Sequence, residues 1–274
     1  MPIKDRMKYG GVKWKNQLAH WVNGLGVDLF TLRRGIKGLP SVIKEYRQFK
    51  YLHETPDDFP CRFNYPCPAD RYEEGGVASG HYFHQDLLIA QKIFQRNPIR
   101  HLDVGSRIDG FIAHVASFRE IEILELRPVT KKVKNIIFHQ FDLLEPVGHF
   151  ETCCDSISCL HALEHVGLGR YGDRLMADGH IKGFQALSEM LKPGGILYLS
   201  VPIGPQRIEF NAHRVFGIQT ILDMANDKYE LLDFSFVDDF GDIHENPAMS
   251  ADAIKNCFDC WYGCGIFEFR KKVE

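Results

Sequence analysis

The sequence predicts an α/β protein: a seven-stranded, mostly parallel sheet covered by helices on both faces, preceded by an N-terminal helical appendage. Three observations predict it. From Gly80 onward, short apolar runs alternate with helix-period segments, the pattern of strands joined by crossover helices. The chain has 274 residues, 45% of them hydrophobic and 25% charged, ordinary values for one large domain with a sizeable core. The charge is uneven: the first fifty residues carry eleven Lys and Arg against Asp5, Asp28 and Glu45, a balance of +8 in a chain whose total is −3. A disordered, collagen-like or coiled-coil chain is excluded, and no chain-wide excess of positive charge argues for nucleic acid as a partner.

In order along the chain, Trp14, Leu18, Trp21, Val22 and Leu25 share one helical face until Gly24 and Gly26 interrupt it. Such a basic amphipathic arm can lie on a membrane surface as a peripheral contact, or pack on the body of the protein. A second helix follows from Leu39, Val42, Ile43, Tyr46 and Phe49, opened by Pro40 and Ser41. Residues 55 to 80 collect Pro56, Pro60, Pro66, Pro68, Gly75, Gly76 and Gly80, a loop-rich connection that separates an appendage, 1–78, from a main domain, 79–274.

The main domain opens with a helix striped by Phe83, Leu87, Ala90 and Phe94 and stopped by Pro98. Strands follow at 99–104, 120–126, 136–141 and 155–160. A long helix with Ile181, Phe184, Leu187 and Leu191 ends at Lys192-Pro193-Gly194-Gly195, and a fifth strand, 196–201, begins at once. A helix over 218–225 precedes two last strands at 230–237 and 265–269. The eight cysteines sit mostly in apolar runs and read as reduced thiols. Cys257, Cys260 and Cys264 supply only three ligands of a zinc-type set and read as buried cysteines. The N-terminus has no apolar stretch after its charges, and no window approaches the ~20 apolar residues of a membrane span, so a cytoplasmic location is expected.

The most informative segment is His101-Leu102-Asp103-Val104-Gly105-Ser106-Arg107-Ile108-Asp109-Gly110-Phe111, a strand leaving through a glycine turn into a helix. Such a turn lets the backbone approach a nucleotide-like ligand. The second strand then ends in Glu125, where a carboxylate can accept both ribose hydroxyls, and the third in Asp142, placed to accept from an adenine amine. Acids closing two successive strands beyond a glycine turn form a joint pattern.

On these residues, together with the segment from Asp155 through Leu160-His161 to Val166 and the helix stop Leu191-Lys192-Pro193-Gly194-Gly195, residues 80 to 274 resemble a class I S-adenosylmethionine-dependent methyltransferase. Within that superfamily the chain is also similar to a domain family of unknown function seen in nematodes and bacteria. The resemblance implies a Rossmann-like fold and S-adenosyl-L-methionine as cofactor, with Asp103, Gly105, Ser106, Arg107, Glu125, Asp142, Leu143 and Leu160 on the cofactor side and no metal. It implies methylation of a small-molecule or glycan-like acceptor, a sugar in this reading. Oxygen is the expected target, because the Asn-Pro-Pro-Tyr type segment of many nitrogen methyltransferases is replaced here by Cys159-Leu160-His161-Ala162. One departure stands out: Arg107 and Asp109 occupy the second and third glycine positions of the usual turn. The Arg107 side chain either blocks the methionine end of the cofactor or bends away and holds an anion.

A hydroxyl is a poor nucleophile until its proton has a destination, so histidines near the strand ends are candidate bases. His161, at the carboxyl end of the fourth strand, is the first choice; His165, one turn later, orients it or packs, and His213 is the reserve. His81 and Tyr82 precede the first helix of the domain, and Asn211 and Arg214 follow the fifth strand; these four are candidate acceptor contacts. Two alternatives stay open. A methyltransferase-like chain can serve as a non-catalytic binding or scaffold protein, and His161-x-x-Glu164-His165 matches an inverted zinc-peptidase motif if both histidines share a helix face.

Overall fold

The computed structural model describes residues 26, 28–52, 59–73 and 75–273. The chain divides into two compact units, residues 1–77 and 78–274. The arm with Trp14 to Leu25 lies outside the described residues.

In the first unit, helix α1 spans Leu29–Leu52 and starts ten residues before the expected Leu39. Asp28 explains the early start. Its carboxylate accepts from the Phe30 and Thr31 amides at 2.8 and 3.2 Å and from the Thr31 hydroxyl at 2.7 Å, satisfying donors that a helix start leaves free. Pro40 therefore lies inside the helix, where it removes one backbone bond without ending it. Gly38 is the buried residue of α1; a Cβ there would sit 1.8 Å from the Pro68 carbonyl oxygen, so this crossing admits only glycine.

The second unit is built on an eight-stranded sheet. Helix α2 (His81–Arg96) leads to β1 (His101–Val104), a turn at Ile108–Ile112 and the short helix α3 (Ala113–Ala116). Strands β2 (Ile121–Glu125), β3 (Ile136–Gln140) and β4 (Cys154–Leu160) follow, then α4 (Gly179–Met190) and β5 (Leu191–Ile203). A hairpin of β6 (Arg207–Glu209) and β7 (His213–Val215), helix α5 (Ile218–Ala225), β8 (Tyr229–Val237), β9 (Ile243–Glu245), α6 (Ala251–Lys255) and β10 (Gly263–Lys271) complete it. The sheet order is β3-β2-β1-β4-β5-β10-β8-β9. The first five strands run parallel, and β10 is antiparallel to both β5 and β8. This is the expected Rossmann-like sheet, with one strand beyond the expected seven. The addition, β9, pairs three polar-flanked residues with β8 and carries no apolar run that would reveal it.

Both faces of the sheet are covered. On one, Ile89 and Ile93 of α2 pack with Phe111, Ile112 and Val115; on the other, Phe184 and Leu187 of α4 join Ile218 and Ile221 of α5. The apolar stripe expected on α2 is not its buried face. Phe83, Leu87 and Phe94 are exposed, and Gln85, Asp86, Ile89, Ala90 and Ile93 are buried. Two polar residues thus sit in the interior, and both have partners: Gln85 accepts from the Ser200 hydroxyl at 2.5 Å and donates to Asp86 at 3.1 Å. At the far end of α2, Lys92 bridges Asp233 and the buried Glu268, which Arg96 also engages, tying the helix to β8 and β10. Among the described residues no helix is long and apolar enough to cross a membrane, and all eight cysteines are free thiols.

Candidate active site

The sheet order reverses between β1 and β4, where consecutive connections depart to opposite sides and leave a crevice at the carboxyl ends. A cavity of about 390 Å³ lies there, within the size range of small-molecule sites. Its floor is set by Gly105, which has φ +73° and donates its amide to the Leu124 carbonyl at 3.0 Å. A Cβ at this position would come within 2.9 Å of the Ala162 Cβ, so the turn needs glycine for both conformation and space.

Asp103 and Ser106 work beneath the turn instead of lining the crevice. The fully buried Asp103 carboxylate accepts from the Ser106 amide at 3.0 Å, the Ser106 hydroxyl at 2.6 Å and the Ser158 hydroxyl at 2.6 Å. Burial pushes its pKa up to about 6 against these bonds. Ser158 also meets His101, whose two ring nitrogens lie 2.8 Å from the Ser156 and 3.1 Å from the Ser158 hydroxyl. Burial, with Arg119 nearby, pulls the His101 pKa down to about 3 and keeps the ring neutral.

Glu125, Asp142, Leu143 and Leu160 all line the crevice, as does Arg107 at its rim. Glu125 carries a partner that the sequence did not reveal: Arg127 donates to it from its amide and Nε at 3.0 Å and from Nη2 at 3.1 Å. The Arg127 guanidinium also lies 4.4 Å over the ring of Tyr171, which Arg170 approaches from 5.1 Å. Asp142 has one oxygen on the Leu144 amide at 2.9 Å. Arg107 is ion-paired with the exposed Asp109 at 2.9 Å and stands 5.5 Å from the centre of the Tyr82 ring.

His161 closes β4 in a left-handed conformation, φ +50°, that a non-glycine residue adopts only under constraint. Its amide donates to the Ser200 carbonyl at 3.0 Å and meets the Ser200 hydroxyl at 3.1 Å. Its Nδ1 lies 2.7 Å from the buried Glu164 carboxylate. Burial opposes an imidazolium here, yet the neighbouring Cys264 sulfur and Glu164 carboxylate outweigh it and raise the His161 pKa above its ordinary value. Glu164 is correspondingly lowered: burial pushes it up, and His161 beside it more than offsets that. The Nε2 of His161 is buried without a partner, as is Glu164 Oε2.

The zinc-peptidase alternative is corrected by this backbone. Residues Leu163–His165 form a single 3-10 turn and His161 precedes it with positive φ, so His161 and His165 share no helical face. Glu164 is engaged with the His161 ring instead of standing free above a metal-bound water.

His165 lines the crevice with its Nδ1–H donating to the Ala212 carbonyl at 2.6 Å, and burial lowers its pKa. Tyr82 lines the crevice as well, its ring 5.2 Å from that of His161. His81, Asn211, His213 and Arg214 do not line it. His81 stacks parallel on His161 at 5.2 Å. Asn211 is exposed beyond β6, and His213 packs against Tyr262 at 5.0 Å. Arg214 is buried, and its two terminal nitrogens donate to the carbonyls of Glu164, Val166, Met176 and Ala177 at 2.7 to 3.4 Å. That guanidinium is consumed in fixing the loop that carries the crevice wall, and none of its terminal donors is left for an acceptor.

Among solved structures of similar fold are the N-methyltransferase NodS from Bradyrhizobium japonicum WM9 in complex with S-adenosyl-L-homocysteine, at 13% identity over 71% of this chain and 89% of that one, TM-score 0.46. The 1,6-didemethyltoxoflavin-N1-methyltransferase of Burkholderia thailandensis, with bound 1,6-didemethyltoxoflavin and S-adenosylhomocysteine, shares 15% identity over 69% of this chain and 79% of that one, TM-score 0.48. No curated protein matches the sequence. A family model matches residues 115–253, just over half of the chain, and the protein therefore belongs to the family described as Caenorhabditis protein of unknown function, DUF268.

Proposed function

We propose that this protein is an S-adenosylmethionine-dependent methyltransferase that acts on a hydroxyl of a small or glycan-like acceptor. The observation that carries the reading is the convergence of the Gly105 turn, Glu125 and Asp142 in one crevice at the switch point of the sheet. The residues present fit the cofactor. Gly105 gives the backbone a close approach, two acids stand at successive strand ends, and Leu143, Leu160 and Phe141 supply an apolar wall. When bound, the cofactor supplies a methyl group already activated on a sulfonium.

The chain's own residues then orient and desolvate the reactants. Glu125 accepts the ribose hydroxyls once Arg127 releases it, and Asp142 accepts from the adenine amine. Of the three histidines weighed as proton acceptor, His165 has the better geometry. Its Nδ1 proton is held by the Ala212 carbonyl, which leaves the lone pair on Nε2, 3.7 Å from Glu164 Oε1, where the carboxylate would stabilise the imidazolium formed on taking a proton. The His161 Nε2 has no exposed surface, and His213 lies outside the crevice. The choice of oxygen rests on Leu160-His161-Ala162 at the fourth strand end, and the choice of a sugar on the bacterial members of the resembling family.

Calorimetric titration with S-adenosylmethionine and S-adenosylhomocysteine tests the reading. Both should bind, and Glu125→Ala should weaken them by ~1 to 3 kcal/mol, the size of lost charge-assisted bonds. Unchanged affinity in that variant would remove the cofactor assignment. A non-catalytic binding protein is the second reading. The Glu125–Arg127 pair favours it, because it occupies both oxygens meant for ribose; complete absence of binding would establish it over the first.

A further inference from the structure

We propose that His81, His161 and Cys264 form a binding site for a divalent cation of the zinc type. The sequence gives no hint of it, since the three residues lie eighty or more positions apart and the expectation was no metal. The fold brings them together from the start of α2, the end of β4 and the interior of β10, with one donor atom of each within 4.8 Å of the others. Tetrahedral zinc with imidazole and thiolate ligands needs donors about 3.5 Å apart and a metal in the plane of each ring, so binding turns the His81 ring out of its parallel stack on His161. The donor set is nitrogen and sulfur, which selects zinc over magnesium or calcium.

Two further observations point to a ligand. First, the His161 ring is held from behind as metal-bound histidines are: Glu164 takes its Nδ1 at 2.7 Å. Second, His161 Nε2 is buried without a hydrogen-bond partner, with the Cys264 sulfur as neighbour of the ring. An unpartnered buried polar atom is costly. A dication gives that nitrogen a partner. Its charge is balanced by one thiolate and the adjacent carboxylate, and the two histidines enter as neutral ligands.

On binding, the Cys264 thiol and the Nε2 of His161 each give up a proton to solvent, the weak 3.7 Å contact of Cys264 with Gln85 is released, and Sγ and Nε2 bond to the metal with no change of oxidation state. Three protein ligands leave one tetrahedral position for water or an acceptor oxygen. His161 also lines the crevice, but its role as a ligand does not depend on whether the crevice binds S-adenosylmethionine.

The test is metal analysis of the full chain after equilibration with zinc and removal of free metal, paired with the absorption spectrum of the cobalt(II) form. One zinc per chain is expected, with a thiolate-to-cobalt band in the near ultraviolet. Cys264→Ser should abolish that band, and His81→Ala, at the first turn of α2, should lower zinc affinity at least ~10-fold with the circular dichroism unchanged. Glu164→Gln should weaken binding ~10- to 100-fold as a positioning residue, while Cys260→Ser leaves it intact. Failure of the folded wild type to retain zinc overturns the proposal, as does a wild-type cobalt band in Cys264→Ser. S-adenosylmethionine titration of the metal-free chain reports separately on the cofactor reading.

Discussion

Replacing Gly105 by alanine perturbs the crevice at one atom, and the structure supplies two costs that can be separated. The first is conformational: an L-residue held at φ +73° costs ~1 to 2 kcal/mol relative to glycine. The second is steric, because the new methyl meets the Ala162 Cβ at 2.9 Å, an overpacking worth ~1 to 3 kcal/mol. Gly105→Ala should therefore lose ~2 to 5 kcal/mol in urea unfolding. Adding Ala162→Gly removes the opposing methyl and returns only the steric part, so the double-mutant cycle should show a favourable coupling of ~1 to 3 kcal/mol. Ala162→Gly alone costs ~0.5 to 1 kcal/mol in backbone entropy, which the cycle subtracts. Gly105→Ala should also weaken S-adenosylmethionine in calorimetry, because the turn can relieve the contact only by moving. A coupling energy near zero, or a Gly105→Ala variant as stable as the wild type, would refute the claim that the β1 turn is packed directly on the β4 turn.

Arg127→Ala should tighten S-adenosylmethionine by up to ~5-fold in calorimetry, since it frees Glu125 from a partly exposed ion pair; weaker binding would show that Arg127 contacts the ligand. Arg214→Lys should destabilise the protein by ~3 to 5 kcal/mol in urea and raise hydrogen exchange over residues 164–177, because an ammonium cannot serve four carbonyls; wild-type protection there would contradict the clamp. The buried pair His101 and Asp103 should oppose each other in acid. A folded His101 pKa of about 3 against an ordinary 6.5 means stability is lost as pH falls below 6.5, whereas an Asp103 pKa of about 6 against 3.8 means stability is gained as pH falls from 6 to 3.8. Relative to the wild type, Asp103→Asn should thus lose stability on acidification through that window, and His101→Gln should gain it, each with a slope approaching ~1.4 kcal/mol per pH unit in urea unfolding series; parallel profiles for all three proteins would show that neither group titrates as assigned.

The fifth strand was legible because a strand buried on both faces reads as a near-continuous apolar run, as at 196–201. β9 and the β6–β7 hairpin were not, because three-residue strands at an edge or in a hairpin need no such run. The start of α1 was hidden by reading Pro40 as an opening signal when Asp28 already supplied the cap. On α2 the apolar stripe misled, since the true inner face includes Gln85 and Asp86, whose burial depends on Ser200 from a distant strand. At the site, positions fixed by strand ends were readable: Gly105, Glu125, Asp142 and Leu160 converge as expected. Arg127, Arg170 and Tyr171 belong to loops, where only three-dimensional neighbours give a residue its role. His213, Asn211 and Arg214 follow the fifth strand as expected, but the hairpin turns them to Tyr262, solvent and backbone carbonyls respectively.

The two strands that bound the switch point leave the sheet in the same unusual way. β1 exits through Gly105 at φ +73° and β4 through His161 at φ +50°, and the residue after His161 is the one that Gly105 touches. A left-handed residue at a strand end turns the chain sharply, so both connections clear the crevice before running to opposite sides of the sheet. At β1 the conformation is met by glycine at no steric cost. At β4 glycine would be the cheaper residue, yet the position holds an imidazole bonded to a buried carboxylate and stacked on a second imidazole. Backbone strain of ~1 to 3 kcal/mol persists where surrounding contacts over-determine it, and such positions gather at sites of chemistry. The packing of a polar cluster directly beneath a ligand-sized cavity therefore makes the His161 turn the point where fold and function constrain the same residue.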